Sequence, residues 1–302
     1  MRKNRKYLTA AFLAAVLAVV LLLSAGITQA LLQDSAVRIN HINLVGDSVS
    51  AVLLEPEWDG VINYTVVNGE EKAVYEYRDN GSGAEVPVYG YAGGSYDSPV
   101  FDPDDPSAGT RASAYSNGAA RSYGIDRAVN MIPGSSSPKD PYIVNTSEEM
   151  PVWAAVKVTF VYAGAGGMNA SKKGIPLNAS DMLRVSQIIE IDYNSDSDEP
   201  AWERISQGVN GGAADAEQVF CFKQRLDPGV RTDRLFTAVS LKESASSADV
   251  AFLKGIGGFA VYVEGFAMQG NRLTDYQSFR QSGVNGAIVF PGTPSAENPL
   301  SL

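Results

Sequence analysis

The chain has 302 residues, with 24 Lys and Arg against 34 Asp and Glu and a formal net charge of −10. A chain of this length buries about three quarters of its unfolded surface without disulfides, and its single cysteine, Cys221, rules out an internal one. No basic cluster follows Lys6, so nucleic acid is excluded as an expected partner, because affinity for phosphate backbones rests on clustered cations.

At the N-terminus Arg2, Lys3, Arg5 and Lys6 precede an uncharged stretch from Leu8 to Ile27, and Thr28-Gln29-Ala30 places a small residue after it. This pattern predicts a secretory signal over residues 1–30, cut between Ala30 and Leu31 by a signal peptidase during export. A retained single-pass anchor is the alternative reading of the same stretch. Removing the segment takes away four cations and no acid, which deepens the charge from −10 to −14. The expected product is secreted, extracellular or at the cell surface, with no membrane segment after cleavage.

Residues 31–302 read as one all-β domain. Strands are expected at Val49 to Leu54, Val61 to Val67, Trp153 to Tyr162, Gln218 to Gln224, Leu235 to Leu241 and Gly258 to Met268. Between Asn80 and Gly124 the composition shifts to Gly, Ser, Pro, Asp and Tyr, which predicts an inserted loop region. Its tyrosines, Tyr89, Tyr91, Tyr96, Tyr115 and Tyr123, suit either a binding surface or the packing of a long loop.

Two helices are expected, one from Ser180 to Ile189 capped by Ser180 or Asp181, and one from Thr274 to Gln281 stopped by Gly283. Leu226-Asp227-Pro228-Gly229 is a turn, since Pro presets its first corner and Gly tolerates the second. Pro291 to Leu302 reads as a flexible tail. Regularly spaced strands of this kind favour an antiparallel sandwich or barrel.

The inventory of reactive side chains is small. A zinc site takes three or four ligands from His, Cys and carboxylates, and the chain has one His, His41, and one Cys. His41 lies in no H-E-x-x-H, and no G-x-S-x-G elbow accompanies it. Cys221, set in Val219-Phe220-Cys221-Phe222, reads as a small buried hydrophobe. Asp192, Asn194, Asp196, Asp198 and Glu203 occupy the oxygen positions of a calcium-loop frame, but Ser197 replaces its glycine and Pro200 breaks its second half. The alternative is a hairpin in which Ile188 to Ile191 and Trp202 to Ile205 flank an acidic tip. No catalytic residue, metal ligand or cofactor is expected, and the chain reads as a non-enzyme.

Several segments, in order, resemble the TasA and camelysin family of secreted proteins. They are Ala30 and Asp34, the step Val45-Gly46, and Leu53-Leu54-Glu55-Pro56-Glu57-Trp58. Met131-Ile132-Pro133-Gly134, Lys139-Asp140-Pro141, Asn145-Thr146 and Val152 to Val158 follow, then Leu226 to Gly229, Leu235-Phe236 and Val261 to Gln269. Two departures stand out: Leu31-Leu32-Gln33-Asp34 lacks the family's aromatic residue after the cut, and the Gly/Tyr-rich insertion has no counterpart.

The resemblance implies a jelly-roll-like β-sandwich and a surface or biofilm-matrix protein that self-associates into fibres, with or without an accessory matrix subunit. The segment freed by cleavage would then act as a donor strand through Leu32, Val37, Ile39, Ile42 and Leu44, which alternate loosely with polar residues. The same segment also reads as the first strand of its own domain. A surface module binding glycan or protein through the tyrosine-rich region is the second expectation. The family's metallo-endopeptidase label conflicts with the single His and Cys.

Overall fold

The computed structural model describes residues 42–45, 49–67, 70–79, 85–91, 124–128, 131–164, 169–194, 201–205, 215–273, 275–284, 288 and 290. The export segment with Ala30 and Leu31, the residues Leu32, Val37, Ile39 and His41, most of the tyrosine-rich region and the tail from 291 lie outside them.

Within those residues the chain is mostly strands in antiparallel sheets, with a few short helices. The largest sheet has the order β1 (Ile42–Val45), β13 (Phe259–Gln269), β8 (Val152–Tyr162), β11 (Glu217–Phe222), β10 (Trp202–Ile205). Its centre is the pair β8 and β13, eleven residues each, in unbroken antiparallel register from Tyr162 opposite Phe259 to Val152 opposite Gln269. In β8 every residue except Lys157 is buried, the mark of a strand covered on both faces.

Alternate β8 residues serve two separate cores, as the period of two requires. Val152, Ala154, Val156, Val158, Phe160 and Tyr162 join the main core, which also holds Leu53 of β2 (Ala51–Leu54), Ile143 of β7 (Tyr142–Asn145), Ile189 of β9 (Ile189–Ile191) and Val239 of β12 (Ala238–Leu241). Trp153 and Ala155 point the other way, to a smaller core with Val219, Cys221, Phe266 and Phe279. Phe279 comes from the last described helix, Tyr276–Val284, and stacks on Trp153 at 5.5 Å between ring centroids.

The main core is closed by two small sheets, β2 with β7, and β6 (Ser136–Pro138) with β12 and β9. A further sheet is the meander β3 (Asn63–Val67), β4 (Glu70–Asp79), β5 (Glu85–Tyr91). The stretch 85–91 is therefore strand where composition predicted loop. Val86, Val88, Tyr89 and Tyr91 are good strand formers, and pairing with β4 outweighs the nearby glycines.

Numbered in chain order, the helices are α1 (Pro56–Asp59), α2 (Gly124–Ala128), α3 (Ala179–Ile188), α4 (Ser247–Gly255) and α5 (Tyr276–Val284). The cap of α3 is Asn178, whose side chain accepts from Asp181 N at 2.8 Å, rather than Ser180 or Asp181. Asp181 is taken instead by the Tyr162 hydroxyl. Ser246 and Asp249 form a reciprocal capping box at α4, a helix the strand-dominated reading missed.

The expected hairpin around the acidic tip does not form. Strand β9 pairs with β12 and β10 with β11, so the two apolar ends lie in different sheets. β10 finds in six-residue β11 a longer partner than three-residue β9 would be, and β9 finds in β12 a more apolar partner than β10, which carries Glu203 and Arg204.

Candidate functional site

Two places gather the residues singled out by sequence: the edge of the large sheet, and a buried charged cluster beneath its neighbours. At the edge, β1 runs parallel to β13, with Ile42 opposite Gly265 and Val45 opposite Met268. Every other strand pair among the described residues is antiparallel. A four-residue parallel pair at an edge is a weak attachment, since parallel pairing gains slightly less per residue and, among the described residues, no further strand pairs on its outer flank. Ile42 and Leu44 thus lie in a strand paired within their own chain.

The buried cluster is built by β2, α1 and the link between β6 and β7. Pro56 presets the backbone at the start of α1, and Gly60, with φ of 83°, closes it in the left-handed conformation that glycine tolerates. This short turn holds Glu55 O as acceptor of Trp58 N at 2.9 Å and Asp59 N at 3.1 Å. The Glu55 side chain therefore points inward from a fixed backbone, and it is 6 % exposed.

Lys139, 2 % exposed, enters from the other side. Its Nζ donates to Glu55 Oε2 at 3.1 Å and lies 4.3 Å from the centroid of the Trp58 ring. Its own backbone N–H donates to Thr237 O at 3.1 Å. Asp140, next in the chain, accepts from Glu57 N at 2.8 Å through Oδ1 and pairs with Arg234 Nε at 3.0 Å through Oδ2. Burial pushes the Asp140 carboxyl up to about 7; the Glu57 N–H opposes this, the Glu55 charge adds to it, and Arg234 opposes it. The Glu-Pro-x-Trp and Lys-Asp-Pro segments, about eighty residues apart in sequence, meet in this one cluster.

A third feature is a cleft of about 650 Å³ between α3, β9, β10 and β11, floored by Phe160, Trp202, Phe220 and Tyr193 and rimmed by Gln218 and Lys242. Tyr193 stacks on Phe220 at 4.7 Å between centroids. Gln218 Oε1 is buried and accepts no hydrogen bond among the described residues.

On the opposite face of the large sheet, Glu203 accepts from Arg280 Nε and from the Tyr276 hydroxyl at 2.8 Å. This occupies the carboxylate that would close a calcium loop beginning at Asp192. Cys221 is fully buried there, and burial pushes its thiol up to about 12, which leaves it a packing residue rather than a nucleophile.

Among the described residues no group of three or more His, Cys, Asp or Glu is placed to hold a metal ion. No described helix is long and apolar enough to cross a membrane. Comparison with protein-family models, with curated proteins and with solved structures finds no match to this chain.

The motifs marked Glu55, Lys139 and Asp140 in the sequence, but not that they touch. The aromatic cleft had no sequence signal, because its floor comes from four separate elements.

Proposed function

We propose that this chain is a secreted structural protein of the cell surface or biofilm matrix, built on a jelly-roll-like β-sandwich, which self-associates into fibres by strand exchange and catalyses no reaction. The observation that carries this reading is the peripheral position of β1, held by four parallel residue pairs at one end of an eleven-residue strand. A strand so attached is replaceable by the same strand of a neighbouring chain, which supplies the same contacts and leaves its own site to the next copy. Such a contact does not close on itself and so propagates into a filament. The apolar series Leu32, Val37, Ile39, Ile42 and Leu44 gives the exchanged segment side chains to bury. The ordered resemblance to the TasA and camelysin family supports the same role, and the single His and Cys speak against the peptidase label.

Electron microscopy of the chain beginning at Leu31, over a range of concentration and ionic strength, tests this. Filaments are expected, and deletion of residues 31–45 should leave soluble, folded protein that forms none. A chain that stays monomeric throughout, while the deletion unfolds, overturns it. The second reading, a surface binding module, draws support from the aromatic-floored cleft, a lining suited to sugar faces or apolar groups. Binding on a glycan array by stable monomers would favour it.

A further inference from the structure

We propose that Lys139 and Glu55 condense to a side-chain amide, a covalent cross-link between the turn after β2 and the segment joining β6 to β7. The proposal rests on the geometry of the pair alone and is independent of fibre formation.

An ordinary buried ion pair is stable when both charges are fully solvated by other polar groups. Here the side chains are only 3 % and 9 % exposed, and among the described residues Glu55 Oε1 accepts no hydrogen bond. One oxygen of the Glu55 carboxyl group therefore lies in a water-poor site without a donor among the described residues. A buried carboxyl group with an oxygen left without a donor gains by becoming part of a neutral group. An amide is neutral.

The two groups are also placed to react. Lys139 Nζ lies 3.1 Å from Glu55 Oε2, and both backbones are pinned, Glu55 by the α1 turn and Lys139 by its hydrogen bond to Thr237 O. Fixed partners of this kind react with effective molarities of about 10⁵–10⁸ M. The Trp58 ring covers the nitrogen and keeps out the water that would otherwise compete.

The existing hydrogen bond supplies the first step, in which one proton passes from the Lys139 ammonium to the Glu55 carboxylate. The amine lone pair then attacks the carboxyl carbon and forms the C–N bond. A second proton moves from nitrogen to the departing oxygen, the C–O bond breaks and water leaves. The ammonium's three protons end as one on the amide and two in the water, so no oxidant or co-reactant is required. In a chain with a single cysteine, this cross-link does the work of a disulfide in closing a long loop.

Intact-mass measurement of the folded and then denatured full chain, its N-terminus fixed by sequencing, tests the proposal together with a peptide map. The expected mass is one water below that of the sequence, with one branched peptide joining residues 55 and 139. Glu55→Gln should reach the same final mass by losing ammonia, whereas Glu55→Ala and Lys139→Arg should keep their full sequence mass. Wild-type protein at full mass, with separate linear peptides around Glu55 and Lys139, overturns the proposal. So does a water loss that persists in Glu55→Ala, which would mark dehydration elsewhere, such as at Asp59-Gly60. If the variants fail to fold, the wild-type peptide map alone decides.

Discussion

Tyr276 donates its hydroxyl hydrogen bond to Glu203 at 2.8 Å, and this contact ties the last described helix, α5, to the edge strand β10. Arg280 completes the clasp on the other carboxylate oxygen. Burial alone would raise the Glu203 carboxyl, but Arg280 and Tyr276 outweigh it and hold the group below its ordinary value of 4.5. A lowered carboxylate contributes stability that is present above its unfolded value and is lost as pH falls through the folded one. Acidification below about 4.5 should therefore loosen α5 in the wild type. Tyr276→Phe should cost about 1 kcal/mol at neutral pH and show a smaller acid loss, read by denaturant titration at several pH values.

Asp140 predicts the opposite trend. Its carboxyl is raised by burial from 3.8 to about 7, so it contributes stability that is full below 3.8 and is lost as pH rises through 7. Wild type should lose stability relative to Asp140→Asn across that interval. Melting temperatures of the two proteins between pH 4 and pH 8 check this, and a gap that widens in favour of wild type with rising pH would contradict it.

Gly124 opens α2 directly against β6. A Cβ there would overlap Pro138 O and lie 2.6 Å from Trp58 Cε3, and the first of these is backbone that cannot rotate away. Gly124→Ala should destabilise the fold by about 3 kcal/mol or more, at or beyond the upper end of overpacking effects. An unchanged chemical-denaturation midpoint would show that α2 does not dock there in solution.

The pairing of Val45 with Met268 offers a direct test of strand exchange. In the double variant Val45→Cys, Met268→Cys, oxidation of monomers should link β1 to β13 within one chain and block assembly. Oxidation of preformed filaments should instead link neighbouring chains, giving a ladder on a non-reducing gel. Only intrachain links from filaments would show that β1 stays home.

How much of this was legible in the sequence follows from where each signal resides. Strands β8 and β13 were readable because their own residues carry a long apolar pattern. The turn at Asp227-Pro228-Gly229 was readable from local backbone chemistry, and Gly229 has φ of 75°. Strands β9 and β10 were misassigned to each other because apolar ends reveal that a segment is buried, not which sheet buries it. The sequence around β1 fits either of two roles, because its parallel partner is more than two hundred residues away, beyond any local pattern. The Lys139–Glu55 pair was invisible for a related reason: a charged residue in a motif reads as surface until a distant partner is known.

The register of β8 against β13 bears on how the chain reaches its native state. Every one of their residue pairs joins positions about a hundred residues apart, so the centre of the largest sheet cannot begin to form until β13 has been delivered. Loop closure over that distance carries its entropic cost before any contact repays it, which favours slow folding. Until then β8, strongly apolar, can pair with β11 on one side only, and its other edge is a template for misassociation. A chain truncated before Phe259 should consequently aggregate rather than fold, while one emerging unfolded and whole has its partner strand at hand.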